Sequence, residues 1–226
     1  MVWGPNLGIN YPFLNGGVPL PANGSANFLA LDTVADGVIN HLDDPYTPFY
    51  PGDAYVDWVA VSLYWYPDEG TGFNGLPDAT FFADSLTATG PAIARYNPLV
   101  LNQANRNFYA NFAAAKNKPM MLPETSAPFV PAITTGTATE KDIKEQWWNQ
   151  IFNDQVRSNF PLLKLAIWFE EMKSDGREIR DWRATHSPAT LEAFKTDFAS
   201  SNRAKKVVFA ENLKVQCNGR LNVDFR

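Results

Sequence analysis

Cysteine is almost missing: Cys217 is the only one in 226 residues, which excludes an internal disulfide framework and any multi-cysteine zinc site. Histidine is nearly as scarce. With only His41 and His186, a histidine-rich metal centre is excluded, and a Ser-His-Asp triad has little to draw on. No Gly-x-Ser-x-Gly elbow occurs, and no Gly-rich phosphate loop follows an apolar run. No stretch reaches the roughly 20 apolar residues that a membrane helix requires. A basic excess is also lacking: 19 Lys and Arg stand against 24 Asp and Glu, a net charge of −5. Nucleic-acid binding needs a basic face, so a neutral or weakly charged ligand suits the chain better. The opening Met1-Val2-Trp3-Gly4-Pro5-Asn6 carries neither a basic leader nor a long apolar stretch. It therefore does not form a signal peptide and reads as the middle of a domain. No metal or cofactor is expected, and carboxylates remain as the candidate catalytic groups.

Aromatic residues are abundant, with 16 Phe, 8 Tyr and 7 Trp. Large amphipathic rings serve cores and ligand clefts alike, but they do point away from disorder. Apolar runs recur along the chain, each followed by polar or loop-forming residues. They are residues 56–64 (VDWVAVSLY), 119–123 (PMMLP, ending on Glu124) and 162–169 (LLKLAIWF, ending on Glu170-Glu171). Residues 1–3 have the look of the tail of a fourth strand. Helical spacing lies between them. Over 97–117, Leu101, Phe108, Phe112 and Ala115 mark one face. Over 139–158, Thr139 and Asp142 form a capping pattern, and Ile143, Trp147 and Ile151 recur every fourth residue. A last helix is predicted over 189–199. Strands alternating with helices indicate parallel βαβ units.

Two stretches stand apart. Residues 7–50 are rich in Pro, Gly and Asn; a loop of that size is either functional or hides a short helix such as 28–42. Asn23-Gly24-Ser25 there is a glycosylation acceptor in a secreted chain, or a chance occurrence. Residues 202–226 are basic and continue no βα pattern. The chain thus divides into a domain over 1–201 and a tail that is either an extra strand pair or a poorly ordered end.

In parallel α/β barrels the chemistry gathers at the carboxyl ends of the strands. That rim carries Trp3 and Asn6, then Tyr64, Trp65 and Tyr66, then Glu124, then Trp168, Glu170 and Glu171. Sugar rings stack on Trp and Tyr while an Asp or Glu handles the anomeric carbon, so acids beside aromatics suit glycoside cleavage. Glu124 closes an apolar strand and is the sharpest candidate catalytic group; its alternative role is a cap or ion pair in the following loop. Trp3, Asn6, Tyr64, Trp65 and Trp168 are the candidate substrate-binding residues. Tyr64 either orients Glu124 through its hydroxyl or fills the interior, and Trp168 is either a sugar platform or a core residue. Glu170 and Glu171, two acids in tandem, are expected to face solvent.

The runs Val2-Trp3-Gly4-Pro5-Asn6, Tyr50-Pro51-Gly52-Asp53 into Tyr55-Val56-Asp57-Trp58, Lys118 to Glu124, and Ala166 to Phe169 with Asp181-Trp182-Arg183 resemble glycoside hydrolase family 26. That family holds β-mannanases and related endo-acting enzymes, and the likeness extends over roughly residues 1–198. The resemblance implies the C-terminal half of a (β/α)8 TIM barrel, strands five to eight with their helices. It implies Glu124 as nucleophile of a retaining double displacement, Trp168 as floor of the sugar site and Tyr64 as neighbour of the nucleophile. It also implies an extracellular protein acting on a mannan-like, β-linked polysaccharide. The family's acid/base glutamate belongs to a His-Glu-Met-Asn type motif on the fourth strand, and no such motif occurs in these residues. The chain alone is therefore expected to turn over negligibly. Two rival expectations are a non-catalytic carbohydrate-binding protein and a half-barrel module that associates with itself, against which a monomeric mass would count.

Overall fold

The frame of the molecule is a four-stranded parallel sheet, seen in a computed structural model of mixed α/β class that describes residues 1–7, 19–67, 73–133, 138–176, 178–199, 207, 214–215 and 221–222. Its strands are β1 (Val2–Trp3), β2 (Trp58–Ala60), β3 (Met120–Thr125) and β4 (Leu163–Trp168), and they neighbour one another in sequence order. All three pairings are parallel, aligning Trp3 with Val59, Val59 with Met120, and Leu122 with Ala166. The regular ladder of β2 is shorter than its apolar run. Its backbone bonds nevertheless continue, because Leu63 N–H donates to the Glu124 carbonyl at 3.2 Å and Trp65 N–H to the Ser126 carbonyl at 3.1 Å. Gly4 sits where β1 leaves the sheet: a Cβ there would come 2.9 Å from the Ala60 Cβ, so the close approach demands glycine.

Helices fill the connections: α1 (Ala26–Leu31), α2 (Phe81–Thr87), α3 (Gly90–Tyr96), α4 (Glu140–Ile151), α5 (Asp154–Asn159) and α6 (Pro188–Ala199). The helix predicted over 28–42 is a single short one, capped by the Ser25 hydroxyl on Phe28 N–H at 3.2 Å and ended at Asp32. Positive φ at Ala35 and Gly37 prevents continuation. The predicted 97–117 helix is also corrected. Pro98–Val100 and Ala104–Arg106 are 3₁₀ turns, and Asn102 at φ 60° separates them. Beyond them, Tyr109–Ala114 winds as a π-helix, with Ala115 N–H donating to the Ala110 carbonyl at 2.9 Å. The wider turn changes the phase: Phe108 and Phe112 stay buried, but Ala115 is exposed and Tyr109 and Ala113 take the inward positions.

Helices α2 and α3 were not visible as periodic segments, since each spans only two turns. The left-handed Ala88 ends the first, and Gly90-Pro91 opens the second. Gly90 has φ 84°, and the Asp84 carboxylate occupies the space a Cβ would need while accepting from Ala92 N–H at 3.0 Å. Helix α4 matches its sequence pattern up to Ile151, with a full capping box between Thr139 and Asp142. The single helix predicted over 139–158 is corrected: the chain breaks at Phe152 and Asn153, and the Asn153 side chain caps α5 as a separate helix. Thr139 holds the Asp142 carboxyl below the usual carboxylate range.

The core lies between the sheet and these helices, built around Val59, Val61, Leu63, Phe82, Phe108, Met120, Leu122 and Trp147. Trp148 joins a second cluster with Ala184 and Phe198 of α6. Parallel strands with apolar runs are expected to be covered on both faces. Here Leu165 and Ile167 of β4 remain 40% and 47% exposed, and Val2 of β1 52%. After β4 the chain adds an antiparallel hairpin, β5 (Met172–Asp175) and β6 (Glu178–Asp181). In the basic tail, Lys214–Val215 pairs antiparallel with Leu221–Asn222, the extra strand pair that was one of its two expected forms; Cys217 lies outside the described residues.

Candidate active site

Glu124 is the penultimate residue of β3, where the ladder loses register between Leu122 and Thr125. The irregularity re-aims successive side chains, as bulges do. Thr125 turns inward, buried, and its hydroxyl accepts from the Trp147 indole N–H at 3.0 Å. The Glu124 side chain emerges exposed at the rim. There Tyr64 Oη donates to Glu124 Oε2 at 2.6 Å, a short, charge-assisted bond. Burial, reinforced by the carboxylate acceptor, raises the Tyr64 ionisation well above the ordinary tyrosine range. Tyr64 thus stays a hydroxyl donor at neutral pH. One Glu124 oxygen is held, and the other is not engaged by it.

Rings build the wall behind Tyr64. Trp182 meets it edge-on, with centroids 5.1 Å apart and planes at 68°, and Phe169 does so at 5.9 Å and 87°. Tyr66, 47% exposed, leans on Trp182 at 5.9 Å, and the Arg180 guanidinium lies 4.3 Å from its centroid. Lys173 Nζ lies 4.8 Å over the Phe169 ring. Neither Trp182 nor Phe169 was singled out as a site residue from sequence. Phe169 follows β4 directly, so its rim position was the available signal. Trp182 comes after the β5–β6 hairpin, where strand-end reasoning does not look.

The remaining predicted residues have mixed placements. Trp168 ends β4 opposite Thr125, half-buried, with its indole N–H donating to the Trp182 carbonyl at 2.8 Å and its ring 6.0 Å from Trp148. Asn6 stands at the same rim, exposed and bridged to Ser62 in parallel fashion. Trp3 does not join Glu124 through any ring contact. It packs among Tyr50, Phe108 and Phe112 at 4.9, 6.0 and 5.0 Å. Trp65 is enclosed: it is 1% exposed, its indole N–H donates to the Gly75 carbonyl at 3.0 Å, and Phe81 and Tyr96 close on its ring. No face of Trp65 is open to a sugar, so substrate stacking there is corrected to a core role.

Both tandem acids are exposed, as expected, but their bonding differs. Glu170 is a local anchor, accepting from Ala184 N–H at 2.8 Å and Thr185 N–H at 2.9 Å, with the Thr185 hydroxyl as a further donor. Glu171 is exposed, and its backbone carbonyl accepts from Trp182 N–H at 2.9 Å. Below the ring wall runs an ionic network. Lys144 of α4, fully buried, pairs with Glu140 at 2.6 Å and Asp181 at 3.8 Å, and donates to the Arg183 carbonyl. Burial depresses the Lys144 ammonium against the pull of Glu140. Burial also works against the Asp181 carboxylate, but bonds from Arg183 at 2.8–3.0 Å keep it below the usual range. Among the described residues, no group of three or more His, Cys, Asp and Glu side chains is placed to hold a metal ion.

No family model matches the chain, and no curated protein is significantly similar to it.

Proposed function

We propose that this chain carries the nucleophile side of a glycoside hydrolase-type site, acting on O-glycosidic bonds of a mannan-like, β-linked polysaccharide with retention of anomeric configuration. In this reading the four parallel strands are the fifth to eighth of a (β/α)8 barrel, and the protein works outside the cell. The observation that carries it is the 2.6 Å bond from Tyr64 to Glu124 at the carboxyl ends of adjacent parallel strands. A hydroxyl bound to one carboxylate oxygen fixes the rotamer and leaves the second oxygen to attack the anomeric carbon. The glycosidic C–O bond then breaks, the leaving oxygen takes a proton, and water later hydrolyses the glycosyl ester.

That proton must come from a second carboxylic acid about 5–5.5 Å from the nucleophile in a retaining pair. The resemblance to family 26 assigns it to a His-Glu-Met-Asn type motif absent from these residues. General acid catalysis supplies about 10²–10⁴ in rate, so the purified chain should bind β-mannan oligosaccharides but hydrolyse them negligibly. Titration by calorimetry and product analysis check this together. Robust hydrolysis of mannan or xylan would overturn the expectation for the chain alone, and absence of any oligosaccharide binding would remove the sugar reading. A binding protein without turnover is the second reading, favoured by the missing acid motif. The same change tells the two apart: Glu124→Ala leaves binding largely intact in that case, whereas it abolishes turnover in a protein supplied with the missing acid.

A further inference from the structure

We infer that Trp182 is a positioning residue for the Glu124–Tyr64 pair, a role that rests on the nucleophile reading of Glu124. Its backbone is fixed from three directions. The carbonyl accepts from Ser126 Oγ at 2.6 Å and from the Trp168 indole at 2.8 Å, while its N–H donates to the Glu171 carbonyl at 2.9 Å. Ser126 lies two residues after Glu124 beyond β3, and Trp168 ends β4, so one peptide group ties two strand ends together at the rim. The flanking residues are fixed too: Asp181 N–H and carbonyl pair with Phe129 at 2.7 and 2.9 Å, and Arg183 is bonded to Asp181.

The ring that this backbone presents is 3% exposed and meets Tyr64 edge-on at 5.1 Å. It is too enclosed to be a sugar platform. It instead limits the positions the Tyr64 phenol can take, since aromatic pairs are favoured in offset and edge-on arrangements and packed rings do not shift freely. A phenol held on one side by Trp182 and Phe169 has its hydroxyl directed at Glu124 before any ligand arrives, which is the preorganisation a nucleophile requires. Among the described residues the Trp182 indole N–H has no hydrogen-bond partner, although it is buried. Such a cost is tolerated where the placement of the ring matters more than the satisfaction of its polar atom.

The test uses the full chain labelled with ¹³Cζ-tyrosine, read by NMR. The Tyr64 signal is identified by its loss in Tyr64→Phe, and Glu124→Gln defines its position when the carboxylate acceptor is gone. In Trp182→Ala the Tyr64 signal should move toward that position, whereas Trp182→Phe, which keeps a ring, should leave it near the parent value. Ser126→Ala, a milder change, should shift it part of the way. In a Glu124→Gln background Trp182→Ala should shift it far less, because the bond it protects is already lost. The inference is overturned if the signal stays at the parent value in Trp182→Ala with the fold intact by circular dichroism, or in Ser126→Ala where the first variant does not fold. Oligosaccharide binding is recorded on the same samples. Its absence in the parent, with the NMR pattern as expected, would remove the sugar reading while leaving Trp182 as the residue that sets Tyr64.

Discussion

A tyrosine hydroxyl and a carboxylate sixty residues apart in sequence meet at 2.6 Å, and this pair concentrates the chemistry of the rim. Both members were legible beforehand, because each stands at or just past the end of an apolar strand. Their neighbour Trp182 was not legible, because its place depends on how a hairpin folds back over the strand ends. Trp65 shows the opposite failure: it sits one residue after Tyr64, and the alternation of side chains along an extended backbone sends it into the core. The Tyr64 hydroxyl makes a prediction at this scale. Its folded ionisation lies above the unfolded value, so its contribution to stability is complete below the ordinary tyrosine range and is lost as pH rises through the raised value. Alkaline absorbance titration of the chain, compared with Tyr64→Phe, should assign to Tyr64 a phenol that ionises later than ordinary tyrosines. A difference curve centred on the ordinary range would contradict the bond to Glu124.

Among the elements, α4 is the one whose sequence and structure agree most fully. Its capping pair, its fourfold apolar spacing and its buried Trp147 and Trp148 all appear where the pattern places them. The segment after Asn97 is the opposite case. Its residues have a helical spacing, yet Pro98, the left-handed Asn102 and a π-wound turn divide it, since a widened turn packs Tyr109 and Phe112 against the sheet at the expense of regular phase. Helix α4 also carries Lys144, whose ion pairs reach from Glu140 to Asp181 beside Trp182. Breaking a buried pair typically costs about 3–5 kcal/mol, whereas losing an N-cap hydroxyl costs about 1 kcal/mol. Lys144→Ala should therefore destabilise the chain severalfold more than Thr139→Ala in urea unfolding. Equal costs would mean that the network does not clamp the helix to the ring wall. The capping box has its own pH signature: because the Asp142 carboxyl is lowered, its contribution is complete above the usual carboxylate range and fades as pH falls through its folded value.

At the scale of the molecule, the parallel pairing of the sheet was legible from the alternation of apolar runs and helical segments, whereas its sequential strand order followed only from the family resemblance. Val2, Leu165 and Ile167 lie on the two outer strands, and their exposure departs from the burial that apolar strand residues announce. The central claim is that Glu124 attacks an anomeric carbon, and it can be tested without the missing acid. A 2-deoxy-2-fluoro-mannosyl donor with a dinitrophenolate leaving group needs no protonation to depart, and the fluorine slows release of the glycosyl ester. Incubation with this reagent followed by intact-mass and peptide mass spectrometry should show one added fluoroglycosyl group, carried by the peptide containing Glu124 and absent from Glu124→Gln. No adduct, or an adduct on any other residue, would contradict the account.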